Sequence, residues 1–464
     1  VNGHGLIATL ALLAWFPLSI AAFYVMRPSK AAVLIAFGAV MFLPELAYLK
    51  LPRLPNLDKH TIPYLCILLG CLIRSPRRVL RAPPDAWFSV LMVVLVISAV
   101  GMVVTNRDAL IYGSWITRVI PGLTLKDGLA TAATDVAQIG IPFFVGSIVF
   151  RTSRDARGLL HVLAIAAVLY AGFILVELRM SPQFHRWIYG YSPIADFSQT
   201  RRWGGYRPNV FMAHGIALSL FVLLSLLAAI IVARTRRPIL GVSGAIVAAM
   251  TLVLLVLCKS TAALTYALVL IPVLWWARAH TQIRIAVLAA GLVSVYPLLR
   301  ASDTFPTKAL VSVANHINAD RAASLQFRFH NEDLVLEKAR ERVVFGWGTY
   351  GRNAIYDPLT AKQMSVTDGY WIIRLGRQGV VGLLCTFAIL LIPVFMAARK
   401  LRRVPNREDQ LLLAGLCVIL MTAVTDLIPN GLFSNYPYFI AGAVAGLARC
   451  LPMRMTSHPA GVTP

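Results

Sequence analysis

The sequence has little charge. Of its 464 residues, 14% are charged and 58% hydrophobic, and the mean hydropathy is +0.71. A soluble domain is about half apolar and about a quarter charged, so this balance excludes a disordered chain and an ordinary water-soluble one. Acidic residues are the scarcest charged type, 20 against 44 Lys and Arg, giving a net charge of +24. Such an excess can mark a nucleic-acid binder. Here the basic residues stand between long apolar runs, so they read as loop charges of a membrane protein and as sites for an anionic ligand. No nucleic-acid partner is expected. The few cysteines (66, 71, 258, 385, 417 and 450) lie in or beside apolar runs without metal-ligand spacing, which argues against disulfides and zinc. Internal repeats, a paired-carboxylate motif, a DxD-like metal site and a nucleotide loop are also missing. The expectation is no metal, no cofactor and no nucleotide-sugar donor. The N-terminus shows neither a basic n-region nor an A-x-A cleavage site, so the first helix is expected to be retained.

What is present is a series of apolar windows. A helix crosses the hydrocarbon core with about 20 residues, and on that ruler roughly thirteen windows qualify. They lie near 5–26, 31–48, 57–73, 86–105, 129–150, 158–177, 209–232, 239–258, 261–277, 283–299, 378–398, 410–427 and 436–450. The expected fold is an all-α polytopic membrane protein with 12–13 transmembrane helices. Its parts are transmembrane helices over 1–299, a large extracytoplasmic loop of short helices over 300–377, further transmembrane helices over 378–450 and a tail over 451–464. Compact basic connections set the orientation. Those carrying Arg27 and Lys30, Arg74 to Arg81, Arg151 to Arg157, Arg234 to Arg237, Arg278 and Arg284, and Arg399 to Arg407 are placed in the cytoplasm with the tail and its Arg454. The longer connections 106–128, 178–208 and 300–377 fall outside, together with short ones at Lys259-Ser260 and 428–435.

The outer connections are basic as well. Arg179, Arg186, Arg201, Arg202, Arg207, Lys259, Arg321, Arg328, Arg374 and Arg377 all map to that side. They are either scattered solvated charge or the lining of a cavity for an anion such as a pyrophosphate. Glu45, Glu177, Lys259 and Asp426 lie near the outer ends of the windows, and Asp135 lies deeper. A coupled transporter more typically carries its ionisable groups at the midplane on broken helices, so this distribution favours chemistry at the outer boundary.

Within 300–377, residues Ser324 to Val344 read as an amphipathic helix, with Leu325, Phe329, Leu336, Ala339 and Val343 as its apolar stripe. Arg328, Glu332, Glu337, Lys338, Arg340, Glu341 and Arg342 occupy the other faces. The helix should stop at Phe345-Gly346-Trp347-Gly348, where two glycines permit a tight turn. A second element, from Asp368-Gly369-Tyr370-Trp371 to Gly379, leads into the next window.

This order resembles the O-antigen ligase and polysaccharide polymerase superfamily of bacterial inner membranes. The resemblance covers mainly residues 200–450. Arg328 precedes Gly346 by eighteen residues, and Asp368 precedes Gly379 by eleven, at the place where ligases usually carry a His followed by Asn. Two further patches are similar. One is Arg201-Arg202-Trp203-Gly204-Gly205-Tyr206-Arg207; the other is Cys258-Lys259-Ser260-Thr261, where the family often has a Ser-Arg pair. The resemblance implies a GT-C-like fold and glycosyl transfer at the periplasmic face of the inner membrane. The donor would be an undecaprenyl-pyrophosphate-linked glycan. The acceptor would be a lipid-linked repeat unit for a polymerase, or lipid A core for a ligase. A transporter of lipid-linked glycans, without covalent chemistry, is the alternative of another class.

Such a transfer must neutralise a departing pyrophosphate, and arginine matches phosphate oxygens bidentately. Arg328 is the first candidate, then Arg207 with Arg202 as its competitor, with Lys259 and Ser260 beside them. Each also has a plainer reading: Arg328 pairs with Glu332 one turn on, and Lys259 snorkels at a helix end. An acceptor hydroxyl must be deprotonated or oriented. Asp368 suits that task, though it equally suits an N-cap. His214 and His330 compete as bases. Tyr370 and Trp371 are candidates for stacking on sugar rings, or for the membrane interface. Asn430, Asn435 and Tyr436 are candidate sugar contacts.

Overall fold

The computed structural model describes residues 5–50, 56–81, 85–194, 196–317 and 319–452, apart from the side chains of residues 78, 317, 320 and 321. Arg321 and most of the tail, including Arg454, therefore lie outside what is described. The chain is an all-α polytopic membrane protein. Its helices are α1 (Leu6–Val25), α2 (Pro28–Phe42), α3 (Ile62–Arg74), α4 (Pro76–Arg81), α5 (Ala86–Val104), α6 (Leu125–Asp135), α7 (Ile141–Val149), α8 (Ser153–Met180) and α9 (Phe184–Tyr189). They continue with α10 (Gly215–Arg234), α11 (Gly244–Leu257), α12 (Thr261–Trp276), α13 (Ala279–Ala301), α14 (Thr307–Ile317), α15 (Ala319–Arg340), α16 (Tyr370–Leu401), α17 (Arg407–Asp426) and α18 (Tyr436–Cys450). A π-helical segment, Val136–Gly140, joins α6 to α7. Strand is limited to three short antiparallel hairpins among the described residues.

Every apolar window contains a helix. Among the described residues, eight helices are long and apolar enough to cross a membrane, counting α6 to α7 as one; α2, α3, α11 and α12 are apolar but shorter. Several boundaries differ from the windows. α2 stops at Phe42 and α3 begins only at Ile62. The chain between them turns through Leu46, which has positive φ, and forms a short hairpin pairing Tyr48 with Asp58. α10 begins at Gly215 because the preceding residues are held by side chains rather than by helical bonds. The Glu177 carboxylate accepts the backbone N–H groups of Gln183 and Phe184 at 3.1 Å each, of Asn209 at 2.9 Å and of Val210 at 2.7 Å. One buried carboxylate thus closes both ends of the connection that carries Arg207. Lys59 adds a bond to the Phe211 carbonyl at 2.7 Å and an ion pair with Glu45 at 2.8 Å.

Contacts between connections distant in sequence group them at two ends of the bundle. Compact basic turns form one end, tied by Arg449 to Asp85 at 3.2 Å and by Arg157 to Glu408 at 3.5 Å. The long connections gather at the other. α10 is the central helix, buried along most of its length and packed against α8, α11, α12 and α17. α18 packs closely on α7, where Gly146 and Gly442 bring the backbones together: a Cβ on Gly442 would lie 2.0 Å from the Phe143 carbonyl oxygen. Small residues at such crossings substitute close packing for the hydrophobic drive that lipid does not supply.

The amphipathic helix of the 300–377 segment is α15. It ends at Arg340 rather than Val344, and Val343 is exposed, not part of the packed stripe. Its buried face is Asn331, Glu332, Val335, Leu336 and Ala339, so Glu332 lies inward instead of on a polar face. The Glu332 carboxylate accepts from Arg300 Nε at 3.0 Å, Tyr296 hydroxyl at 2.9 Å and Trp371 Nε1 at 3.3 Å. These bonds clamp α15 to α13 and to the head of α16. Burial outweighs the favourable neighbours and leaves the Glu332 carboxyl above its usual range.

The expected glycine turn docks on a break in α16. Gly346, Gly348 and Gly379 all have positive φ. Trp347 and Gly348 donate backbone bonds to Gly376 and Arg377 at 2.9 Å each, and Val380 donates to Val343 at 2.8 Å. A Cβ on Gly346 would lie 2.6 Å from the Gly379 nitrogen, and one on Gly379 would lie 2.2 Å from the Val344 carbonyl oxygen. Only glycine fits both the left-handed backbone and the contact. α16 therefore starts at Tyr370, earlier than its apolar window, as a short head before the break and a long apolar stem after it.

Candidate active site

The end of the bundle that carries the long connections brings together residues from four stretches of chain. Arg201-Arg202 and Gly205-Tyr206 pair as a hairpin turning through Trp203 and Gly204, both with positive φ. Lys259, in the tight turn between α11 and α12, donates from Nζ to the Arg202 carbonyl at 3.2 Å. A Cβ on Gly205 would lie 2.5 Å from that Nζ, so the glycine leaves room for the ammonium against the hairpin. Arg207 follows the hairpin and is buried, its backbone N–H bonded to the Thr200 carbonyl at 2.6 Å. Its side chain lies over the start of α10: a Cβ on Gly215 would lie 2.7 Å from Arg207 Cδ.

His214 reports how these charges converge. Its Nδ1 accepts from the Ile216 N–H at 3.1 Å, capping α10, and its ring stacks on Phe433 with centroids 6.3 Å apart. Burial first, and then the positive charges of Arg207, Arg202 and Arg328, push its pKa down to about 4. Three guanidiniums from separate parts of the sequence lie within electrostatic reach of one imidazole. The expectation that His214 competes as a base is corrected by this bonding. A neutral ring whose Nδ1 accepts carries its hydrogen on Nε2, so the free side of the ring is a donor.

Arg328, on α15, pairs with Asp368 (Nε to Oδ2 3.5 Å) and donates from Nη1 to the Pro429 carbonyl at 3.4 Å. It does not spend its charge on Glu332, which belongs to Arg300. Asp426 is a second carboxylate within its electrostatic reach. The Arg328 and Asp368 side chains are 29% and 40% exposed, so both remain open to a ligand. Asp368 is not the N-cap of α16; Gly369 holds that position without a side-chain cap.

Other sequence candidates separate from this group. Trp371 is fully buried, set edge-on against Tyr296 and bonded to Glu332, so its ring is closed to a sugar. Tyr370 is largely buried, with its hydroxyl 3.0 Å from that of Tyr438, though it contributes to the wall of a neighbouring cavity. Ser260 is buried at the N-cap of α12, with no cap bond from its side chain. His330 lies on the opposite side of α15 in a cleft against α14. Asn430 is buried on Asp426, Asn435 donates to the His60 carbonyl, and Tyr436 is buried, so these serve the connection itself. Sequence reasoning passed over Glu177 and Glu332 as positioning groups. A Glu near a window end shows that it is there, but not that its oxygens collect backbone N–H groups. Arg374 and Arg377, which the sequence groups with the other outer arginines, form a second basic cluster beside Asp135.

The chemistry available to the first group is anion binding by Arg202, Arg207, Arg328 and Lys259, next to a carboxylate that can take a proton. No protein-family model matches the chain, and no match to it was found among curated proteins.

Proposed function

We propose that the protein is a membrane glycosyltransferase that joins undecaprenyl-pyrophosphate-linked oligosaccharide repeat units into O-antigen or exopolysaccharide at the periplasmic face of the bacterial inner membrane. The observation that carries this reading is that Arg202, Arg207 and Arg328 all lie within electrostatic reach of His214, with Asp368 on Arg328, at one end of an apolar bundle. The order of residues from Arg328 to Gly379 supports the same reading, with the three glycines of that stretch explained as a docking turn.

In the proposed step the acceptor hydroxyl gives its proton to the Asp368 carboxylate. Its oxygen forms the new bond to the anomeric carbon of the donor glycan. The bond from that carbon to the pyrophosphate oxygen breaks, and the electron pair leaves with undecaprenyl pyrophosphate. Arg328 and Arg207 neutralise the charge that develops on the leaving oxygen, taking the part a metal ion plays elsewhere. Lys259 and Arg202 hold the distal phosphate, and the His214 Nε2–H is a donor to a substrate oxygen. Donors aimed at developing charge in a site that excludes water lower a barrier by about 3–4 kcal/mol each. Asp368 in place of the histidine usual in ligases favours a lipid-linked repeat unit as acceptor over lipid A core.

The test is reconstitution in proteoliposomes with an undecaprenyl-pyrophosphate glycan and each acceptor in turn. The reading expects longer lipid-linked glycan and free undecaprenyl pyrophosphate. Glycan appearing on lipid A core instead would make the protein a ligase. Translocation of intact substrate with no new glycosidic bond would overturn the enzymatic reading in favour of a transporter.

A further inference from the structure

A cavity of about 640 Å³, in the range of ligand sites, opens between the π-helical segment and the head of α16. Its walls include Asp135, Gln138, Tyr370, Arg374, Arg377 and Gln378. π-segments interrupt regular helix and recur at functional sites.

Arg374 and Arg377 stand three residues apart on one helix, where side chains are neighbours and like charges repel. The carboxylates at the wall do not resolve that repulsion. Asp135 is taken by Arg374 Nη1 at 3.0 Å and Gln378 Nε2 at 2.6 Å. Asp127 is taken by the Thr124 N–H and hydroxyl, at 2.7 Å each, and by the Tyr350 hydroxyl at 2.7 Å. His60, also at the wall, pairs with Glu45 at 3.7 Å. Arg377 is exposed, and its guanidinium has no hydrogen-bond or ion-pair partner among the described residues. Arg374 Nε and Nη2 are enclosed donors, likewise without a hydrogen-bond partner among the described residues. Buried donors are rarely left so, and each one usually signals a missing partner. An acceptor with several oxygens and a negative charge beside Arg377 gives that guanidinium the partner it lacks and offsets its repulsion with Arg374.

We propose that this cavity is a second anion site, which takes a phosphate group between Arg374 and Arg377. It is distinct from the Arg328 cluster but shares a wall with it. The connection after α17 gives the Pro429 carbonyl to Arg328 and places Leu432 and Asn435 in the cavity, while Tyr370 N–H bonds the Leu427 and Asn430 carbonyls at 2.9 Å each. The site stands on its own geometry, without the transfer reading. Joined to that reading, it gives a polymerase one anion site for each of its two pyrophosphate-linked substrates.

The experiment is calorimetric titration of the purified full chain in detergent with inorganic pyrophosphate and, separately, with farnesyl pyrophosphate. Two binding events per chain are expected. Arg377→Ala should weaken one of them about tenfold or more, the scale of one charge-assisted hydrogen bond, and leave the other intact. Arg328→Ala should do the reverse. Thr134→Glu, which adds a carboxylate to the cavity wall, should abolish the same event as Arg377→Ala. Tighter binding of farnesyl pyrophosphate would identify a lipid headgroup as the ligand, and equal binding a free phosphate; either supports the site. Pyrophosphate binding unchanged in both Arg377→Ala and Thr134→Glu would overturn it. Loss of the Arg328 event alone would count against the first site and not this one.

Discussion

Replacing Arg328 by Ala separates a functional arginine from a structural one, because its structural contacts are weak. Its ion pair with Asp368 is 3.5 Å long and partly exposed, and its bond to Pro429 is 3.4 Å. A pair of that kind contributes about 0–1 kcal/mol, so the variant should unfold within about 1 kcal/mol of wild type. The charge it places on a departing pyrophosphate is worth about 3–4 kcal/mol, or a fall of roughly a hundred- to a thousandfold in kcat. Lysine at this position keeps the charge but not the planar fork, so Arg328→Lys should recover only part of the loss. The assay is turnover of lipid-linked glycan in proteoliposomes, paired with thermal unfolding of the same preparations. Turnover within about threefold of wild type, or a loss of activity that tracks a loss of stability, would refute the leaving-group role.

Glu332 should behave oppositely. Glu332→Ala removes the acceptor for three donors and leaves Arg300, 3% exposed, with only the more exposed Asp333 as a counter-charge. Breaking a buried pair costs about 3–5 kcal/mol, so a marked fall in unfolding temperature is expected, and activity should fall through displacement of α15. Gly379→Ala places a methyl against the Val344 carbonyl in a left-handed backbone, at a cost of about 1–3 kcal/mol measurable by the same unfolding assay. Lowering the pH adds a third case. Since the His214 pKa is about 4 when folded against 6.5 normally, the unfolded chain binds more protons between those values. Its contribution to stability is complete above pH 6.5 and is lost as pH falls toward 4, by about 3 kcal/mol in all. His214→Gln should flatten that part of the pH–stability curve.

Apolar runs made the bundle legible in the sequence, since a span of about 20 apolar residues has few other uses. Boundaries were less so. α2 ends shortly before Leu46 reverses the chain, and α10 begins only after Glu177 has captured the backbone at Asn209 and Val210; neither event has a hydropathy signal. The glycines at 346, 348 and 379 announced turns, but not that one turn would dock on the other across thirty residues of intervening chain. Arg328, Arg207, Lys259 and Asp368 could be chosen because charge in an apolar sequence is conspicuous. That Arg207 and Arg328 come within electrostatic reach of His214 is a property of packing. Trp371 misled for the same reason: an aromatic beside a loop can face a ligand or fill a core, and Glu332, invisible as its partner in the sequence, drew it inward. Arg374 and Arg377 were visible as outer arginines of an anion cavity, but not as a cluster of their own beside Asp135 and the π-helical segment, because that neighbourhood is set by packing.

In the proposed mechanism Arg202, Arg207 and Arg328 act together on an anion bound beside His214, and burial together with their joint field lowers the His214 pKa. NMR titration of the His214 imidazole in the detergent-solubilised chain, alone and with inorganic pyrophosphate, measures that field directly. The account predicts a pKa near 4 in the free protein, moving up toward the ordinary histidine value when the dianion offsets the arginines, and moving up likewise in Arg328→Ala. A His214 that titrates near 6.5 without ligand, and ignores both pyrophosphate and Arg328→Ala, would contradict it.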